Sequence, residues 1–310
     1  MSLEQILINS CYILISIPAV VFGLIVSVTI VLTKRLRQRK ELILIAAQCL
    51  ADTLNGLGFL LSGATRLYLT LTNRSGDVVS PWYCMLEPYT VLLLVGCQSV
   101  AIFDLVVSID RLIAVSWVHV YLELGLQYAY TVSICCYGAV AASVTVAAGL
   151  SYHLPGNVSR LCLSVWATPV QYNVSYQMFI TVAEVVSIGI YALVVLGFRK
   201  RKKEAHTGMQ GTAEKRQMRI TKTIAMVAGC SIVLYVIPWL TQIVLADVNV
   251  SIIGVAVLKR SLWVVTAFNS TMNIVIYFFR LQDVQQSFLK FTGIGKTSTW
   301  IQQSSVAPTA

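Results

Sequence analysis

Ser108-Ile109-Asp110-Arg111-Leu112-Ile113-Ala114-Val115 closes an apolar run over residues 91–115, long enough to cross a bilayer. An acid beside a base at a helix end is common and usually marks a solvated terminus. On a membrane-length helix an ionisable group is expensive, which makes it a functional candidate. The surroundings of the pair decide between these readings.

Composition sets the class. Of 310 residues, 57% are hydrophobic and 12% charged, with mean hydropathy +0.75. A soluble domain carries about a quarter charged residues, so the balance argues against a water-soluble enzyme. The net charge of +10 suggests nucleic acid at first sight. Its distribution points to membrane topology instead, with no nucleic-acid partner.

Residues 1–10 carry no basic region ahead of the apolar run and do not read as a cleaved leader. They are expected to form a short extracellular N-terminus. Seven spans follow, at 11–33, 42–68, 83–117, 128–152, 175–198, 220–246 and 252–279. At about 1.5 Å per residue each matches a hydrocarbon core of about 30 Å. The runs lack the alternation of a barrel strand, so the fold class is an all-α membrane protein. The expected organisation is one bundle over 11–280, a surface helix over 281–291 and a flexible cytoplasmic tail over 292–310.

Lys and Arg orient the bundle. Five fall in the Lys34–Lys40 stretch, one is Arg111, nine lie between Arg199 and Lys222, and three are in the tail. These 18 of 23 share one side when the N-terminus is outside. Sequons at Asn73, Asn157, Asn173 and Asn249 all fall on the other side, as glycosylation requires; a fifth, at Asn269, lies inside the seventh span. The nine-residue basic cluster is read as topology and attraction to membrane lipids rather than a sequence-specific contact. Cys49, Cys97, Cys135, Cys136 and Cys230 sit within spans and read as packing residues. Cys84 and Cys162 both face an oxidising compartment, so they are expected to pair, leaving Cys11 without an evident partner.

Seven spans, an outside N-terminus, an outer cysteine pair and Asp110-Arg111 closing the third span resemble a rhodopsin-type G protein-coupled receptor over 11–291. Leu50-Ala51-Asp52 corresponds to the region of the family's second-span acid. Asn269 and Asn273-Ile274-Val275-Ile276-Tyr277 correspond to its Asn-Pro-x-x-Tyr region. The run Ile109–Val115, the bare Asn-Ile-Val-Ile-Tyr and the very short termini are most similar to nematode serpentine chemoreceptors of class SX. The departures are definite. Ile274 replaces the proline, Gly23-Leu24 replaces a Gly-Asn pair, and Trp239 follows Pro238 where the family tryptophan precedes its proline. Met218 stands where many relatives carry an acid.

The resemblance implies a chemosensory receptor in the plasma membrane of sensory cilia. It would take a small extracellular ligand and activate a heterotrimeric G protein through Asp110, Arg111, Asn273 and Tyr277. It implies no cofactor beyond an allosteric sodium ion or water cluster held by Asp52, Asn269 and Asn273. Pro238, deep in the sixth span, removes a backbone hydrogen bond and is expected to act as a hinge. A ligand cavity between the outer halves of the third, fifth, sixth and seventh spans would draw on Glu87, Tyr89, Glu184, Tyr235, Trp239, Gln242, Lys259 and Trp263. Two readings stay open there: Glu184 is equally a hydrogen-bonded structural acid, and Tyr235 with Trp239 is equally plain packing. Asp104 lies on the face of Arg111, two turns deeper, with no role assigned.

Other classes fit less well. A neuropeptide or amine receptor shares the fold but less of the motif pattern. A transporter would show two related halves with matching broken spans, whereas only the sixth span is read as holding a deep proline. An insect-type ligand-gated channel has the opposite orientation. No metal-ligand spacing, phosphate loop or nucleophile constellation indicates an enzyme.

Overall fold

In hydrocarbon every backbone N–H and C=O must pair within its own segment, so apolar runs of this length become helices. The computed structural model describes residues 3–204, 212–245 and 253–292; side chains at 198–220, 243, 253–257, 259 and 260 also lie outside that description. Asn249, the Lys259 side chain, most of the basic cluster at 199–219 and the tail beyond 292 therefore fall outside it. Seven helices are long and apolar enough to cross a membrane.

Helix α1 spans Leu3–Leu32, beginning at Leu3 rather than at residue 11. The apolar residues after Met1 continue the run, and Glu4 in the first turn suits the positive end of the helix dipole. Pro18 lies inside α1, so the sixth span is not alone in holding a deep proline. Thr271 Oγ1 donates to the Ile15 carbonyl at 2.7 Å, in the turn that Pro18 disturbs. A short helix, Lys34–Arg37, leads to α2, Lys40–Leu71.

The third span differs from expectation. Ser80 caps a short helix, Pro81–Leu86, by accepting from the Tyr83 N–H at 3.1 Å. Glu87 is then extended, because the residue before a proline is pushed out of the helical region, and α3 runs over Pro88–Ser116. The expected single span over 83–117 is thus two helices, with Cys84 in the first. Helix α4 spans Leu126–Tyr152 and α5 Val170–Glu204. Helix α6 runs as Thr212–Ser231, a π-helical stretch at Ile232–Val236, and Ile237–Val244. The expected disturbance at Pro238 takes this form, a wider turn just ahead of the proline. Helix α7 spans Ile253–Arg280, and α8, Gln282–Phe291, follows as expected. Val284 of α8 is buried, Phe288 meets Phe278 edge-on, and Asp283 pairs with Arg39 at 2.6 Å.

Packing is closest among α1, α2 and α3. A Cβ on Gly96 would stand 2.5 Å from Asn55 Cα, and one on Gly63 would stand 2.9 Å from the Asn9 carbonyl. Gly23, Gly56 and Gly58 are similarly closed in. Small residues let membrane helices approach where lipid gives no hydrophobic drive. Helix α2 is the most buried span and α4 the least.

At the end opposite Arg111, Cys84 and Cys162 form the expected disulfide, with Cα atoms 5.0 Å apart. It joins the short helix ahead of α3 to the chain after α4. That loop adds strand β2, Val158–Ser159, antiparallel to β1, Val78–Val79. Beside it Arg160 bonds Asp77 at 3.1 Å, and this partner raises the Arg160 pKa. Asn73 and Asn157 are exposed at this end, and Asn173 is half-buried in the first turn of α5. Cys49 and Cys97 pack inside; Cys135 instead faces outward from the bundle, and Cys11 is exposed.

Candidate functional site

The site is built upward from the end of α3. Asp110 and Arg111 are each about 1% exposed, so the pair is not a solvated terminus. Arg111 donates through Nε to Asp110 Oδ2 at 3.0 Å and through a terminal nitrogen to the same oxygen. That nitrogen also donates to the Tyr121 hydroxyl at 3.0 Å, and Tyr121 in turn donates to Asp110 Oδ2 at 3.5 Å. Tyr121 is carried by the short helix Val118–Glu123 that follows α3.

Burial pushes the Tyr121 phenol above its usual pKa, so it stays a neutral donor. Lys40 sits over its ring, 3.8 Å from the centroid, and donates to the carbonyls of Tyr121 and Leu124. Tyr121 and Lys40 were not foreseen as site residues. The sequence offers only a tyrosine ten residues after Arg111, in the connection between the third and fourth spans.

Higher in the bundle a second polar layer runs across four helices. Tyr277 donates to Gln48 Oε1 at 2.7 Å, and Gln48 Nε2 donates to Asp104 Oδ1. Ser187 of α5 donates to the Asp104 carbonyl at 2.9 Å. Glu184 faces Asp104, their carboxyl groups within hydrogen-bonding reach of each other. Both line a cavity of about 10 Å³ with Ser187, Tyr191 and Ser231, room for a single water.

Asp52 is fully buried beside Asn273 and Ser270. Both Asp52 oxygens and both Asn273 amide atoms lack hydrogen-bond partners. Asn269 Oδ1 accepts from Ser231 of α6 at 3.2 Å, which links α7 to α6, while its Nδ2 lacks a partner as the Asn273 amide atoms do.

The expected ligand residues separate into three groups. Tyr235 and Trp239 pack with Cys97, Ala101, Ile180 and Ala183, and Trp263 meets Trp239 edge-on at 5.3 Å. Gln242 is half-buried, and its Nε2 lacks a partner, as do Trp239 Nε1 and the Tyr235 hydroxyl. Tyr89 belongs to the disulfide cluster, its ring 5.7 Å from the Arg66 guanidinium, while Glu87 holds the N-cap position of α3 without a side-chain capping bond. Glu184 lies below the aromatic cluster, turned to Asp104. Arg66 was also unforeseen: it donates to the carbonyls of Leu161 and Cys162 at 2.9 and 3.2 Å, holding the disulfide loop.

Seven membrane-length helices, with a buried acid–base pair closing the third, define a heptahelical receptor. Residues 8–291 match the family described as serpentine type 7TM GPCR chemoreceptor Srsx, and the chain belongs to that family. It is thus a member of a receptor family and not of an enzyme class. No curated protein matches the chain.

Proposed function

We propose that this chain is a chemosensory receptor of the plasma membrane that binds a small ligand at its disulfide end and activates a heterotrimeric G protein at its Arg111 end. The observation that carries the reading is the buried Asp110–Arg111–Tyr121 lock. A charge at a membrane helix end is costly even when paired, which makes its retention a mark of function. The distribution of Lys and Arg, and the sequons at the disulfide end, support an outside N-terminus. Sensory cilia are the expected location.

The ligand is a small, partly polar molecule. The aromatic cluster around Trp239 offers the indole N–H, the Tyr235 hydroxyl and the Gln242 amide, which suit an acceptor-bearing compound more than a cation. Glu184, the acid an amine would need, is engaged with Asp104, which weighs against an amine receptor. Asp52 and Asn273 supply orphaned oxygens that a sodium ion or water would complete, with Tyr277 below them as part of the activation machinery.

The test is expression with a promiscuous G-protein reporter, screened against volatile and water-soluble metabolites. Wild type should answer to at least one compound. The double variant Asp110→Asn/Arg111→Gln removes both charges, leaving neither buried alone, and should reach the surface but stay silent. A double variant that signals like wild type sinks the reading.

A further inference from the structure

The second polar layer contains two buried acids that the receptor reading leaves without a role. Asp104 and Glu184 stand on α3 and α5, at 6% and 1% exposure. Asp104 Oδ2 and Glu184 Oε1 have no hydrogen-bond partner, and both residues line the same small cavity. Their carboxyl groups are within hydrogen-bonding reach. Two ionised carboxylates cannot share such a contact in a low dielectric; one proton between them turns repulsion into a hydrogen bond.

The neighbours supply no alternative counter-charge. The ionisable groups facing the pair are Asp52 of α2, Tyr191 of α5, Tyr235 of α6 and Tyr277 of α7, all acids. The nearest base along α3, Arg111, is committed to Asp110. Among the described residues no Lys, Arg or His lines the cavity. Its volume of about 10 Å³ suits one water rather than an ion with a full oxygen shell.

We propose that Asp104 and Glu184 bind one proton between them, making an intramembrane carboxyl–carboxylate bridge that ties α3 to α5. Its state is read by α7, because Asp104 Oδ1 accepts from Gln48 and Gln48 accepts from Tyr277. Loss of the proton leaves two like charges in contact and drives α5 away from α3. The proposal rests on the bundle alone and not on coupling to a G protein.

The experiment is infrared spectroscopy, with hydrogen–deuterium exchange, on purified full-length protein in nanodiscs of neutral phospholipid. Wild type should show a protonated-carboxyl C=O band that disappears in both Asp104→Asn and Glu184→Gln and survives in Asp52→Asn. In each single variant the new amide donates to the remaining carboxylate, which no longer needs the proton. Thermal unfolding supplies a second readout. The native state holds a proton that the unfolded chain has released at neutral pH, so the wild-type midpoint should fall as pH rises, and Glu184→Gln should flatten that slope. A wild type with no such band overturns the proposal even if the variants fail to fold. So does a band lost in only one of the two variants, which would assign the proton to a lone acid. A midpoint raised by sodium over choline in wild type but not in Glu184→Gln would make this a cation site instead and equally overturn it.

Discussion

Helices α1, α2 and α3 meet through glycines, whereas the glycines of α4 and α6 meet nothing. A Cβ on Gly96 runs into the Asn55 backbone; one on Gly138 or Gly149 of α4, Gly189 of α5 or Gly229 of α6 enters open space. The same residue type therefore does opposite work in the two parts. In the first it permits backbone contact that no side chain could share. In the second, Gly197 of α5 apart, where a Cβ would stand 3.2 Å from Val115, it only lowers helix stability. The closely packed part is a fixed frame, and α4 to α6 are held to it by side chains, by the Asp104–Glu184 contact and by one disulfide.

The disulfide spans the two parts, so its loss tests the division most severely. Cys84→Ser should cost about 2–4 kcal/mol and show as intracellular retention, with the midpoint of purified protein lowered. Gly96→Ala should follow, at about 1–3 kcal/mol for forcing a methyl into a filled contact, seen as a lower melting temperature. A Gly96→Ala midpoint equal to wild type would break the comparison. Tyr121→Phe removes hydrogen bonds to both members of the lock, worth about 0.5–1.5 kcal/mol each. It should raise ligand-free reporter signal with little loss of surface protein; a basal level unchanged at equal expression would mean that Tyr121 does not restrain Arg111. The smallest effect belongs to Gly138→Ala, a gain of up to about 1 kcal/mol from helix propensity. Destabilisation there would show α4 to be packed after all.

Much of this was legible in the sequence, for identifiable reasons. The seven helices follow from apolar length without strand alternation, because a bilayer admits only helices and closed barrels. The disulfide follows from two cysteines placed in one compartment. The Asp110–Arg111 pairing is what the family resemblance implies, since neighbours i and i+1 on a helix do not otherwise face each other. What could not be read depends on how helices are rotated against one another. Sequence spacing carries no rotation between α5 and α3, so the two open readings of Glu184 could not show that it shares a cavity with Asp104. Asn269 shares a face with Asn273, and spacing along one helix does not show that its oxygen also reaches Ser231 on α6. The role of Tyr121 arises only when the connecting helix folds back under α3. The break at Glu87–Pro88 is readable from the proline, which pushes the residue before it out of the helical region.

The π turn at Ile232–Val236 has a consequence in terms of reading frame. Such a turn is what an α-helix becomes when one residue is inserted without disturbing the hydrogen bonds on either side. One residue corresponds to about 100° of rotation at 3.6 residues per turn. Deleting a single residue within 232–236 would restore a plain helix and swing everything before it by that amount. Ser231 would then leave Asn269, while Trp239 stayed against Trp263. Alignments that allow no gap inside a membrane helix would therefore compare the wrong faces of α6 on one side of this turn.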